Sequence, residues 1–248
     1  MIEHHVLSSG DSQLDLRVAL ADSGPTSSNV LLLLHGLPRA VGMGRLAAGL
    51  LPQMAENLAN ESGWRVATAT LSGVGSSTGT FSASRWLADL TCVVGAVAPS
   101  EGRLALAGFG FGGALALRHG VTDDRVRAIA TLATPAHLDR WAGSPDDLYH
   151  SVIAAGVVAD PAELEPAGVL YDGVLGIDPL GAIADFAPRR LIIIHGSDDA
   201  DVPASDARDL LSSADGRAEI RFINGAGHQL RADPRMVATL LGWLDRQR

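Results

Sequence analysis

Apolar positions along the chain recur with two periods. Val30-Leu31-Leu32-Leu33-Leu34 and Leu191-Ile192-Ile193-Ile194 are unbroken apolar runs of strand length. Such runs mark strands buried on both faces. The same reading predicts strands over 2–7, 14–20, 64–71, 103–107, 126–132 and 218–223. Apolar residues at helical spacing predict helices over 45–60, 84–98, 114–119, 203–214 and 233–246. Ser62-Gly63 and Pro99 stop the first two of these, and Pro234 stands near the first turn of the last. Asp22–Ser28 is a loop, and from about 137 to 184 the pattern breaks into short helical pieces separated by Gly and Pro. Strands that alternate with helices predict a mostly parallel, eight-stranded sheet covered on both faces. Ligands of such sheets bind beyond the carboxyl ends of the strands. The Gly-rich and polar segments fall at those ends.

Composition narrows the function classes. The 248 residues are 47% hydrophobic and 19% charged, enough for a sizeable core. A formal net charge of −9 argues against nucleic acid and anionic membrane surfaces as partners, because both require a basic face. The one cysteine, Cys92, lies in an apolar helical run and reads as a small core residue. No disulfide can close within the chain, which suits the cytoplasm. The start, Met1 to Val6, has no basic or long apolar stretch, so no signal peptide is expected. No window approaches the ~18 uninterrupted apolar residues of a membrane span. His4, His5, His119, His137 and His150 form no ligand spacing, so neither a metal nor a cofactor is expected.

The chemistry centres on Gly108-Phe109-Gly110-Phe111-Gly112-Gly113, between a predicted strand and a predicted helix. Strand, glycine-studded turn and helix make the shape of a nucleophile elbow, whose middle position holds the attacking residue. Here that position is Gly110, which has no side chain.

Four further segments, in order and at strand ends, complete a pattern. They are His35-Gly36, Ser72-Gly73-Val74-Gly75-Ser76-Ser77, His195-Gly196-Ser197-Asp198-Asp199-Ala200-Asp201-Val202-Pro203 and Gly225-Ala226-Gly227-His228. With the elbow they resemble the α/β-hydrolase family over nearly the whole chain. That resemblance implies a single α/β-hydrolase domain spanning 1–248, with a small cap inserted at about 137–184. It implies one oxyanion-hole amide after His35-Gly36, at Leu37, and a second at Phe111. It implies the triad acid at Asp199, with Asp198 and Asp201 as competitors, and the triad histidine at His228. The departure is Gly110, where the family carries Ser, Asp or Cys.

Without a hydroxyl at 110 no acyl-enzyme can form there. Asp199 can still orient His228, and a water in the space left by Gly110 can attack directly. The expected ligand is a small, mostly apolar ester, lactone or acyl compound. Two other readings stay open: a non-catalytic binding or regulatory protein, and a serine hydrolase whose nucleophile has been mutated. Ser72, Ser76 and Ser77 read as turn residues rather than substitute nucleophiles, and His35 as a brace for its loop. Trp141, Tyr149 and Tyr171 either line the pocket or pack on the core.

Overall fold

The computed structural model describes residues 1–23, 27–47, 49–158 and 161–247. Positions 24–26 of the expected loop at 22–28, position 48 of the expected helix at 45–60 and positions 159–160 of the expected cap lie outside them.

One eight-stranded sheet organises the chain. Its strands are β1 (Ile2–Ser9), β2 (Ser12–Ala19), β3 (Val30–Leu34), β4 (Arg65–Ala69), β5 (Leu104–Phe109), β6 (Val126–Leu132), β7 (Arg190–Gly196) and β8 (Glu219–Ile223). They lie in the order β1-β2-β4-β3-β5-β6-β7-β8. From β4 to β8 neighbours run parallel. The sheet is nevertheless mixed, because β1 pairs antiparallel with β2, and β2 with β4. A short turn joins β1 to β2, and a turn of that length can only return the chain antiparallel.

The helices are α1 (Leu51–Ser62), α2 (Ala83–Val97), α3 (Phe111–Thr122), α4 (Leu138–Ala142), α5 (Pro145–Ala155), α6 (Ala167–Leu175), α7 (Pro179–Phe186), α8 (Ala204–Ser213) and α9 (Pro234–Asp245). Successive strand residues point to opposite faces, which splits the continuous apolar runs between two cores. Leu31 and Leu33 pack with Met54 and Leu58 of α1 and with Leu240 and Trp243 of α9. Leu32 and Leu34 pack on the other face with residues of α2, α3, α7 and α8.

Three expectations shift. Helix α1 begins at Leu51 rather than 45, with Pro52 in its first turn. Proline has no amide to donate and clashes with the preceding turn, so it sets a start and not an interior. Cys92 is half-buried rather than a core residue, and its thiol donates to the Ser8 carbonyl at 3.3 Å. The stretch Ala167–Phe186, 20 residues of mean hydropathy 1.3, is long and apolar enough by composition to cross a membrane. Here it forms two helices, α6 and α7. Between them Asp178, at φ 45°, caps α7 by accepting the Gly181 amide.

Of the pieces between β6 and β7, α7 packs on α3 and α8 as the crossover helix that returns the chain to the sheet. Helix α4 stands beside the elbow, and α5 and α6 pack with it. There Trp141 of α4 stacks on Phe111, ring centroids 5.5 Å apart and planes 2° from parallel.

Candidate active site

Three glycines of the elbow are fixed by contact. A Cβ on Gly108 would run into the backbone of Gly112, one on Gly112 into the His35 carbonyl, and one on Gly113 into the Thr134 side chain. These glycines let α3 start close against β5 and the loop after β3. Gly110 differs. It sits at φ 52° and ψ −123°, where side chains are strained, yet a Cβ there would meet only Nε2 of His228, 3.8 Å away. The turn therefore has room for a side chain and points that room at a histidine.

His228 is held by Asp199. Its Nδ1 lies 2.9 Å from Asp199 Oδ2. The other carboxylate oxygen accepts the amides of Asp201 at 2.9 Å and Val202 at 2.8 Å. Burial by itself would raise the Asp199 pKa. The His228 hydrogen bond and the two amides outweigh it and hold the carboxyl below its ordinary value. An ionised Asp199 puts the imidazole proton on Nδ1 and leaves the Nε2 lone pair facing Gly110. Neither competing acid bonds His228: Asp198 accepts from the Ser197 hydroxyl, and Asp201 is exposed with its amide donating to Asp199. Buried His195 comes within 3.6 Å of Asp199 Oδ2, but its Nε2 donates to the Val202 carbonyl at 2.9 Å.

The loop after β3 lies directly against the elbow. A Cβ on Gly36 would stand 2.9 Å from the Phe109 carbonyl oxygen. His35 braces this loop. Its Nε2 accepts the Leu71 amide at 3.0 Å, so Nδ1 carries the proton and donates to the Gly36 carbonyl at 2.8 Å. Burial pushes its pKa down to about 4, so the brace is a neutral imidazole. Leu37 and Phe111 both border the cavity beside Gly110. Among the described residues neither amide has a hydrogen-bond partner. The Phe111 amide is also at the start of α3, the positive end of its dipole. Two amides placed this way can stabilise a developing oxyanion.

The cavity has a volume of about 610 Å³. Trp141 lines it; Tyr149 and Tyr171 instead pack on the core. Arg39, which the sequence reading did not single out, lies over the Trp141 ring with its guanidinium 4.9 Å from the centroid. It also donates to the Trp141 carbonyl and, at 3.1 Å, to that of Ala142, which fastens α4 to the loop after β3. Arg231 was missed as well and borders the same cavity. The candidate serines are elsewhere. Ser72 is buried, Ser76 bonds Asp15 at 2.6 Å, and Ser77 bonds the Thr70 carbonyl at 2.7 Å.

No protein-family model and no curated protein matches the sequence. Solved structures do. The chain is similar to Est1E from Butyrivibrio proteoclasticus with bound ferulic acid, at TM-score 0.74 and 16% identity over 98% of this chain and 96% of that one. It is similar to the α/β hydrolase GrgF from Penicillium sp. sh18, at TM-score 0.74 and 17% identity over 100% and 99%. The proline iminopeptidase of Mycobacterium smegmatis gives 0.72 and 17% over 99% and 98%. At these identities the likeness is one of fold.

Proposed function

We propose that this chain, which has the α/β-hydrolase fold, is a hydrolase-like protein that binds a small ester, lactone or acyl compound and hydrolyses it without a covalent intermediate. The observation that carries this reading is the room at Gly110, bordered by Nε2 of His228. In the mechanism a water occupies that room. His228 Nε2 takes its proton as the oxygen attacks the carbonyl carbon. The carbonyl oxygen becomes an oxyanion held by the Leu37 and Phe111 amides. On collapse the bond to the leaving oxygen breaks, and His228 returns the proton to it, giving acid and alcohol. Asp199 stays ionised and stabilises the imidazolium between the two transfers. Loss of a triad nucleophile costs ~10⁶ in kcat and leaves roughly 10³–10⁴ over water, so turnover is slow.

Hydrolysis of p-nitrophenyl butyrate tests this. The protein should turn over without a burst and without gain in intact mass, and His228→Ala and Asp199→Asn should each lower the rate about tenfold or more, toward what the oxyanion amides and binding alone sustain. A rate unchanged in His228→Ala contradicts the mechanism. The absent hydroxyl favours one other reading, a binding protein on the same fold. Ligand affinity without turnover, indifferent to His228→Ala, would identify it.

A further inference from the structure

The cavity beside Gly110 runs against the charge of the whole molecule. The chain carries a formal −9, yet its charged lining consists of two arginines, Arg39 and Arg231, and one acid, Asp201, with His228 already paired to Asp199. The arginines are not equivalent. Arg39 is engaged by two carbonyls and an aromatic ring. Arg231 has no acid, carbonyl or ring partner among the described residues. It belongs to the short turn Leu230–Ala232, which buried Leu230 anchors in the core below α9. Its side chain is half-buried, and burial lowers its pKa with no neighbouring charge to offset the effect. A partly desolvated guanidinium without a counter-charge is unfavourable unless a ligand supplies one. Its planar fork matches a carboxylate in two parallel hydrogen bonds. One unpaired cation balances one negative charge, which fits a carboxylate better than a phosphate dianion.

We propose that Arg231 is a specificity-determining residue that binds a carboxylate on the substrate, so that the compound taken by this site is a monoanionic ester or lactone such as the half-ester of a dicarboxylic acid. This rests on the reading of the cavity as the substrate site, but not on the water mechanism. Arg231 follows His228 by three residues on one anchored loop. A carboxylate held there fixes one end of the substrate relative to the base.

Calorimetric titration with monomethyl glutarate and with its uncharged counterpart dimethyl glutarate tests the assignment. The native protein should bind the half-ester about tenfold or more tightly than the diester. Arg231→Gln should abolish that preference, weakening half-ester binding about tenfold more than diester binding. Arg231→Lys should keep part of it, as a point charge without the fork. Thermal unfolding of both variants separates a folding defect from a lost contact. Equal affinities in the native protein, a preference that survives Arg231→Gln, or no half-ester binding at millimolar concentration would overturn the proposal. Hydrolysis of both esters is followed separately. A charge preference without turnover removes the water mechanism and supports the Arg231 anchor. Turnover of the diester without a preference does the reverse.

Discussion

The elbow and the acid–histidine loops face each other across the cavity and are built on opposite plans. In the acid–histidine loops the polar groups around Asp199 and His228 are committed, and Arg231 further along is the exception. Asp199 accepts from His228, Asp201 and Val202, while the Ser197 hydroxyl donates to Asp198 and accepts the Gly225 amide at 2.8 Å, tying the two loops together. In the elbow the constraint is steric. Gly108, Gly112 and Gly113 leave no room for a methyl group, and Gly110 alone does. The contrast teaches that four glycines of one motif are present for two different reasons. Three hold helix against strand. The fourth is favoured only by its backbone angle, at the position where a side chain would meet the base.

The largest way to break that contrast is Gly112→Ala. Its methyl would collide with the backbone of the braced loop, and we expect a loss of roughly 4 kcal/mol or failure to fold, read from urea unfolding. A loss near that of an exposed helical site would mean the elbow is not sterically closed.

Acid should separate the two sides next. Buried His35 is held neutral, so between pH 6.5 and about 4 the unfolded chain binds a proton that the folded chain does not. Stability contributed by this brace is therefore present above pH 6.5 and is lost as pH falls toward about 4, on the order of 3 kcal/mol. Asp199 has a lower window of the same sign: its pKa is depressed, so its contribution persists down to the ordinary value of 3.8 and falls only below it. Urea midpoints against pH should fall between 6.5 and 4 in the native protein and fall less steeply in His35→Gln, where buried His119, its pKa also lowered by burial, keeps its share, with Asp199→Asn leaving that interval unchanged. The smallest effect belongs to Gly110→Ala, about 1 kcal/mol from the backbone angle alone. A cost as large as that of Gly112→Ala would erase the distinction between the two kinds of glycine.

These differences also mark what the sequence could disclose. The runs at 30–34 and 191–194 announce buried parallel strands because nothing polar interrupts them, and each strand of the sheet has its counterpart in the apolar pattern. Segments at strand ends could be grouped because a parallel sheet delivers them to one edge, and His228 and Asp199 do meet there. Local pattern failed where a tertiary fact decides. Apolar spacing ran back to residue 45, but the chain turns short of Pro52. Cys92 shares its helix with buried Leu90 and Val93 yet is only half-buried, with its thiol against β1. Arg39 and Arg231 look like any of the arginines in the chain, since whether a guanidinium finds a partner is settled by distant residues. The antiparallel edge was legible only in the short turn between β1 and β2.

The central claim is that the frame around Gly110 is a hydrolytic site in every respect but the nucleophile, and Gly110→Ser tests it most directly. Its hydroxyl would extend from a Cβ that stands 3.8 Å from His228 Nε2, within reach of a hydrogen bond. The account predicts a gain in hydrolysis of p-nitrophenyl butyrate, an initial burst, and stoichiometric labelling by a fluorophosphonate at Ser in position 110, all absent from the native chain and all lost when His228→Ala is added. A folded Gly110→Ser protein that is neither labelled nor more active than its parent would contradict it.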